Sequence, residues 1–113
     1  MEAKAIARFV KISPRKARVV ANLVRGMDVG QALKTLTFAK RAAAIPIKKV
    51  VESAVANARQ ADSAIDVDAL FIKNLQVDMG STRHMRRWRP RAMGRATRIV
   101  KGTSHIAVVL DIR

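Results

Sequence analysis

Residues 80–102 read GSTRHMRRWRPRAMGRATRIVKG, with eight Lys/Arg and not one Asp or Glu. Guanidinium groups stay charged at any working pH, and burying one unpaired costs several kcal/mol or more. Such a segment cannot enter a protein core; water or a polyanion must surround it. On either side lie runs of another kind. From Ala69 the apolar period is two, with Phe71, Leu75, Val77 and Met79 on one face and Asn74, Gln76 and Asp78 on the other. A second alternating run extends from about Ile99 to Ile112, with Val100, Ile106, Val108, Leu110 and Ile112 at its even positions. Two strands flanking a basic connection predict a long antiparallel hairpin. Their apolar faces coincide only if partner numbers sum to an odd value. Phe71 opposite Ile106 and Val77 opposite Val100 meets that condition and puts the midpoint between Trp88 and Arg89.

About 18 residues a side at roughly 3.3 Å each make a ribbon near 60 Å long. A body of about 85 residues has a radius of gyration near 12 Å, so most of the arm cannot touch its own domain. An isolated two-stranded ribbon is marginal in water, and a polyanion is expected to order it.

Upstream the pattern is mostly helical. Ala3 to Ile12 alternates as a strand, with Ala3, Ala5, Ala7 and Phe9 on one face. Ser13-Pro14 is an N-cap followed by proline at the first helical position, and Gly26 is the matching C′ residue. On that helix Arg15, Arg18, Asn22 and Arg25 share an arc of roughly 80° at 100° per residue, while Ala17, Val20, Ala21 and Val24 line another side. Asp28 can cap a second helix, with Val29, Ala32, Leu33 and Leu36 inward, ending near Thr37 or Phe38. A third should occupy about Arg41 to Gln60, kinked at Pro46 or beginning near it. The loop ADSAIDVD, residues 61–68, closes the helical half. The expected fold is α+β, with three helices on a small antiparallel sheet and a protruding hairpin. One domain is expected, with a body over 1–78 and 103–113 and an arm over about 79–102.

The 113 residues hold 23 Lys/Arg against 8 Asp/Glu, a formal charge of +15, and half of them are hydrophobic. A chain so composed folds, and its field recruits nucleic acids or anionic membrane surfaces. There is no cysteine, which excludes disulfides and thiolate metal sites and fits a reducing compartment. The opening MEAKAIARFV reads as mature sequence, and apolar runs such as AAAIPI and IAVVL are too short to span a membrane. The expected location is cytoplasmic.

Sites for chemistry are absent from the pattern. His84 and His105 without cysteine make no zinc site, and Asp66 and Asp68 lack the rest of a calcium loop. No phosphate loop, nucleophile elbow or acid–base pair is recognisable. No enzyme activity, metal or cofactor is therefore expected. His105, alternating with apolar residues, reads as a polar residue on the less buried face of a strand, and His84 as a hydrogen-bonding member of the arm.

The basic stripe on the first helix could be a solvated face, but Arg15, Arg18 and Arg25 lack acidic partners four residues away. Arginine dominates the arm, which suits bidentate phosphate contacts, and Trp88 suits stacking on a base. A helix-turn-helix DNA reader would have only Gln31, Lys34 and threonines on its second helix. A membrane-surface protein would need its charge on an amphipathic helix rather than on a Pro/Gly-punctuated arm. A binder of folded RNA with a penetrating arm uses every feature.

Four stretches carry a resemblance: ISPRKARVVANLVRG (12–26), ALKTLTFAKRAAA (32–44), KKVVESAVANA (48–58) and RPRAMGRATRIVKGTSHIAVVL (89–110). They resemble the bacterial-type large-subunit ribosomal protein twenty-two family (universal L twenty-two), the last most specifically, through Arg86, Arg91-Ala92-Met93-Gly94-Arg95, His105-Ile106, Val108 and Leu110. The likeness implies a body on the large-subunit surface and a hairpin that runs through rRNA to line the nascent-peptide exit tunnel. It implies a role in subunit assembly and partners in large-subunit rRNA, neighbouring ribosomal proteins and the nascent peptide, with no homo-oligomer. Carried onto this chain, Ser13, Arg15, Lys16 and Arg18 fall at the RNA-facing helix start. Arg91, Gly94, Arg95, Arg98, Thr103, Ser104 and His105 match the arm motif. With Arg25, Arg83, His84, Arg86, Arg87 and Lys101 these are the expected rRNA-binding residues, and Arg86, Arg87, Trp88, Arg89 and Pro90 the expected tunnel tip.

Overall fold

The computed structural model describes residues 2–80, 87–90, 96–99 and 103–112. Strand β1 (Glu2–Val10) leads into helices α1 (Pro14–Val24), α2 (Val29–Phe38) and α3 (Ala44–Ala61). A 3-10 turn over Val67–Ala69 then enters β2 (Leu70–Met79), followed by the short β3 (Arg87–Pro90) and β4 (Ala96–Ile99) and the final β5 (Ser104–Ile112). Strands order as β1-β5-β2, all antiparallel, and β3 pairs with β4 in a separate two-stranded sheet. This is the expected α+β class. The whole molecule measures 65 × 25 × 16 Å with a radius of gyration of 17.2 Å, against about 13 Å for a compact chain of this length.

The core forms where helix stripes meet the even face of β5. Ala17, Val20, Ala21 and Val24 of α1, Ile47, Val51 and Ala54 of α3, and Ile106, Val108 and Leu110 of β5 are all fully buried. Gly26 stands at C′ of α1 with φ +83°, the left-handed conformation a C′ glycine supplies at low cost. Pro46 is the third residue of α3, inside the first turn, whose N–H groups have no intrahelical acceptor to lose. Of the two expectations for Pro46, the helix begins beside it.

Two strand expectations are corrected. In β2 the register shifts between Ile72 and Asn74, a one-residue bulge that inverts the alternation. Leu70 and Ile72 are therefore buried together with Leu75 and Val77, whereas Phe71 is on the other face and Met79 is exposed. The pairing also differs: Val77 lies opposite Ile106 and Phe71 opposite Asp111. The partner sum past the bulge keeps odd parity, but β2 and β5 pair six positions further along than parity alone suggested. In the ribbon, Arg87 pairs with Ile99 and Pro90 with Ala96, so Trp88 and Arg89 are strand residues, not the midpoint.

In β1, Ala7 pairs with Ile106 and Val10 with Ser104, leaving Arg8 and Phe9 together opposite His105. Phe9 has φ +56° and does not continue the face of Ala3, Ala5 and Ala7; Val10 turns inward instead.

Where β2 and β5 leave the body, the Gly80 N–H donates to the Thr103 carbonyl at 2.8 Å. A Cβ on Gly80 would stand 2.3 Å from Thr103 Oγ1 and 3.3 Å from its Cβ. Gly80→Ala should therefore cost about 1–3 kcal/mol, and Thr103→Ala in the same chain should recover most of it. Urea midpoints of the four-member cycle check this, and simple additivity would dissociate the cost from the Gly80–Thr103 approach.

Candidate nucleic-acid interface

Helix α1 carries Arg15, Lys16, Arg18 and Asn22 exposed, opposite its buried alanines and valines, and Arg25, its C-cap, is exposed beside them. Two of these cations face the sheet edge. Strand β2 is an edge strand, so alternate carbonyls point outward without a ladder partner. Arg18 Nε donates to the Val77 carbonyl at 3.1 Å, and Arg25 donates to the Leu75 carbonyl from Nε at 3.2 Å and from Nη2 at 2.7 Å. Arg25 Nη1 also donates to Asn22 Oδ1. Further back, Ile72 exchanges both backbone hydrogen bonds with the turn after α1, to Gly26 and Met27. The outward carbonyls of Ile72, Leu75 and Val77 are thus covered, the last two by arginine side chains. The resulting cleft of about 410 Å³ is lined by Arg18, Asn22 and Arg25 on one side and by β2 from Asn74 to the carboxylate of Asp78 on the other.

Arg25 therefore has a structural role that its place in a basic stripe did not reveal. Arg25→Ala should lower stability by about 1–3 kcal/mol, since hydrogen bonds from a charged donor are lost and a carbonyl is left open. Lysine, a point donor, should not restore it. Arg15→Ala should stay within about 0.5 kcal/mol of wild type. Equal urea midpoints for the two alanine variants would show the Leu75 contact to be inconsequential.

A second cavity, of about 470 Å³, lies where the β1–α1 turn meets the segment joining α2 to α3. Lys11, Ser13, Lys16, Lys40 and Arg41 line it with Ile12, Ala42 and Ala43, and no carboxylate does. Four cations converge there on the N-terminus of α1, whose free N–H groups and dipole add positive potential. Ser13 sits at the N-cap without a side-chain cap hydrogen bond. Like charges gathered this way repel, and an anion spanning them relieves the repulsion. Sequence reading found Ser13 and Lys16 but missed Lys11, Lys40 and Arg41. Their only signal was position beside helix ends, and packing, not spacing, brings them together.

The arm motif's C-terminal residues are placed differently. Thr103 and Ser104 are buried, and Ser104 Oγ donates to the Ile12 carbonyl at 2.6 Å. That bond ties the foot of β5 to the β1–α1 turn. His105 is half-buried, accepts the Phe9 N–H at Nδ1 (3.1 Å), and meets the Phe9 ring edge to face, with centroids 4.7 Å apart. Arg83, His84, Arg86, Arg91, Gly94, Arg95 and Lys101 lie outside the described residues, and Arg87, Trp88, Arg89, Pro90 and Arg98 are described as backbone strand alone.

Away from both cavities, Lys73 bridges the three strands, 2.5 Å from Glu2 Oε1 and 3.6 Å from Asp111 Oδ2. The Lys73 hydrogen bond holds the Glu2 carboxyl below its ordinary range, and the same bond raises Lys73. The Ile112 N–H lowers Asp111. Depressed carboxylates contribute stability above their unfolded pKa and lose it as pH falls; the Glu2–Lys73 pair is solvent-exposed, so its contribution is small. Among the described residues no cluster of His, Asp or Glu could hold a metal, and no helix is long and apolar enough to cross a membrane.

The chain is similar to known proteins along nearly its whole length. The family model described as ribosomal protein L22p/L17e matches residues 5–111. Proteins named large ribosomal subunit protein uL22 are 54% identical in Sorangium cellulosum, over all of this chain and 99% of that one, and 55% identical in Desulfotalea psychrophila, over 98% of each. The Myxococcus xanthus protein of the same name is 52% identical over 97% of this chain and 96% of its own.

Proposed function

We infer from one fact, that the chain belongs to the ribosomal protein L22p/L17e family, that its unneutralised charge is there to be met by large-subunit rRNA. A structural ribosomal role follows from the membership itself. The finer reading is that the body docks on rRNA through Arg15, Lys16 and the four-cation cavity, while the segment 79–102 extends as an arm through rRNA. The observation that supports it best is the convergence of Lys11, Lys16, Lys40 and Arg41 on one helix start with no carboxylate among them. A protein that kept such a cluster in water would lose stability by it; one that binds phosphodiester backbone gains from it.

In this reading Arg83, Arg86, Arg87, Arg91, Arg95, Arg98 and Lys101 neutralise phosphates along the arm, and His84 adds hydrogen bonds. Arg86 to Pro90 stand at the nascent-peptide tunnel; as residues 87–90 form a strand, they would line its wall rather than cap it. Arg18 and Arg25 keep guanidinium donors for RNA after covering the β2 edge. Thr103 and Ser104 act by fixing the foot of the arm, not by touching RNA.

The test is sedimentation of lysate through a high-salt sucrose cushion, followed by assay of separated subunits. Near-stoichiometric recovery with the large subunit, in a location that is cytoplasmic in bacteria, is the expected result. Recovery in the free or chromosomal fraction alone would overturn the reading. Deleting Arg86 to Pro90 should leave subunit association largely intact and alter nascent-chain passage.

A further inference from the structure

We propose that Phe9 is a stacking platform for an unpaired nucleobase, held open by the β1 bulge and steadied by His105. This rests on the RNA-binding reading above and adds to it a residue outside the basic surface.

The backbone supplies the first reason. Where a bulge that puts two residues opposite one needs a left-handed residue, glycine normally supplies it. Here phenylalanine occupies it at φ +56°, a conformation that is a true outlier for a bulky side chain. The strain is not repaid by burial, because Phe9 remains 58% exposed. Had the strand run on without the bulge, Phe9 would share the inward face of Ala3, Ala5 and Ala7. Instead the chain holds a large apolar ring out in water.

The ring is nevertheless fixed. The Phe9 backbone N–H, diverted from the β5 ladder, donates to His105 Nδ1 at 3.1 Å, and the two rings meet at 85°. An accepting Nδ1 puts the imidazole proton on Nε2. A perpendicular contact covers at most one face of the phenyl ring, so a flat face remains for a base.

The surroundings select the occupant. Arg8 and Lys11 flank Phe9 and are exposed, and Lys11 also lines the four-cation cavity with Ser13, Lys16, Lys40 and Arg41. Phe9 and Lys11 are two residues apart, so their Cα atoms stand no more than roughly 7 Å from each other, a span that one nucleotide bridges. A phosphate in the cavity would thus bring a base to the ring. The carboxylate nearest in the sheet, Asp78, pairs opposite His105 from the β2 side, away from β1. An apolar protein partner would meet this cationic rim at a desolvation cost, whereas a base with its phosphate matches both parts.

The experiment compares full-length wild type, Phe9→Gly and Phe9→Tyr for binding to oligouridylate and to an abasic ribose-phosphate chain of equal length. Phe9→Gly should lose roughly 5- to 100-fold in affinity for oligouridylate, the span expected of one base stack, with the abasic chain bound as before. Phe9→Tyr should retain wild-type affinity for both. Melting of Phe9→Gly should be unchanged or raised, because glycine relieves the positive φ. Unchanged oligouridylate binding in Phe9→Gly would overturn the proposal while leaving RNA binding intact. So would equal loss on both polymers with a lowered melting temperature, which would make Phe9 a packing residue. Unchanged binding with weakened subunit association would mark a protein contact instead. Wild type that binds neither polymer would overturn the RNA-binding reading and this one with it.

Discussion

Ile106→Ala should lower the free energy of unfolding by about 2–5 kcal/mol, the largest stability loss of any single truncation considered. Ile106 is fully buried on the central strand, opposite Ala7 of β1 and Val77 of β2. Its side chain lies where the layers under α1 and α3 meet, so neighbouring strands cannot collapse onto the vacancy without breaking two ladders at once. Domains of this size hold only about 5–15 kcal/mol in reserve, so the variant should unfold at a distinctly lower urea concentration than wild type. Ile106→Val should cost roughly 0.5–1.5 kcal/mol. Ile112→Ala, at the 41% exposed end of the same strand, should cost less than about 1 kcal/mol. A loss at Ile106 no larger than at Ile112 would mean that the core is not centred on β5.

The helices were legible because their signals are local. Ser13-Pro14 and Gly26 bracket α1, and the proline at position 46 left two choices, a kinked helix or one that begins beside it, of which the fold takes the second. Strand β5 itself was legible too, since Ile106, Val108 and Leu110 keep a strict period of two. What parity reading could not deliver was phase. A bulge adds one residue to one strand and leaves no compositional trace: Lys73 in β2 and the Arg8–Phe9 pair in β1 look like ordinary alternation. Each inverts everything beyond it, which is why Phe71 and Phe9 were both assigned to the wrong face. Register along the hairpin failed for a related reason: apolar parity admits every second offset, and nothing in 80–102 distinguishes among them.

The candidate site divides in the same way. Arg15 was visible in the basic stripe of one helix, and Lys16 through the family resemblance. The Lys11–Lys16–Lys40–Arg41 cavity joins residues from two linkers that approach only in the folded chain, and the backbone carbonyls that Arg18 and Arg25 cover are invisible to any reading of side chains.

Binding of the chain to deproteinised large-subunit rRNA should fall with salt at a slope of roughly −6 to −7 in log K against log concentration, if about eight cations engage phosphates. Between 50 and 200 mM salt that is roughly a 10⁴-fold loss of affinity. Eight Lys/Arg lie in residues 80–102 with no acid among them, so the arm alone can supply that number. The body's share is separable. Replacing Lys11, Lys16, Lys40 and Arg41 together by glutamine removes four candidate phosphate contacts without touching the arm, and should reduce the magnitude of the slope by roughly 3. These four side chains are exposed and lie outside the buried core, so the variant's melting temperature should hold or rise as repulsion is relieved. An affinity almost indifferent to salt would rule out charge neutralisation as the mechanism. A steep slope left unchanged by the fourfold variant would confine RNA contact to the arm and α1, and the convergence of cations at the α1 start would then need another anion to explain it.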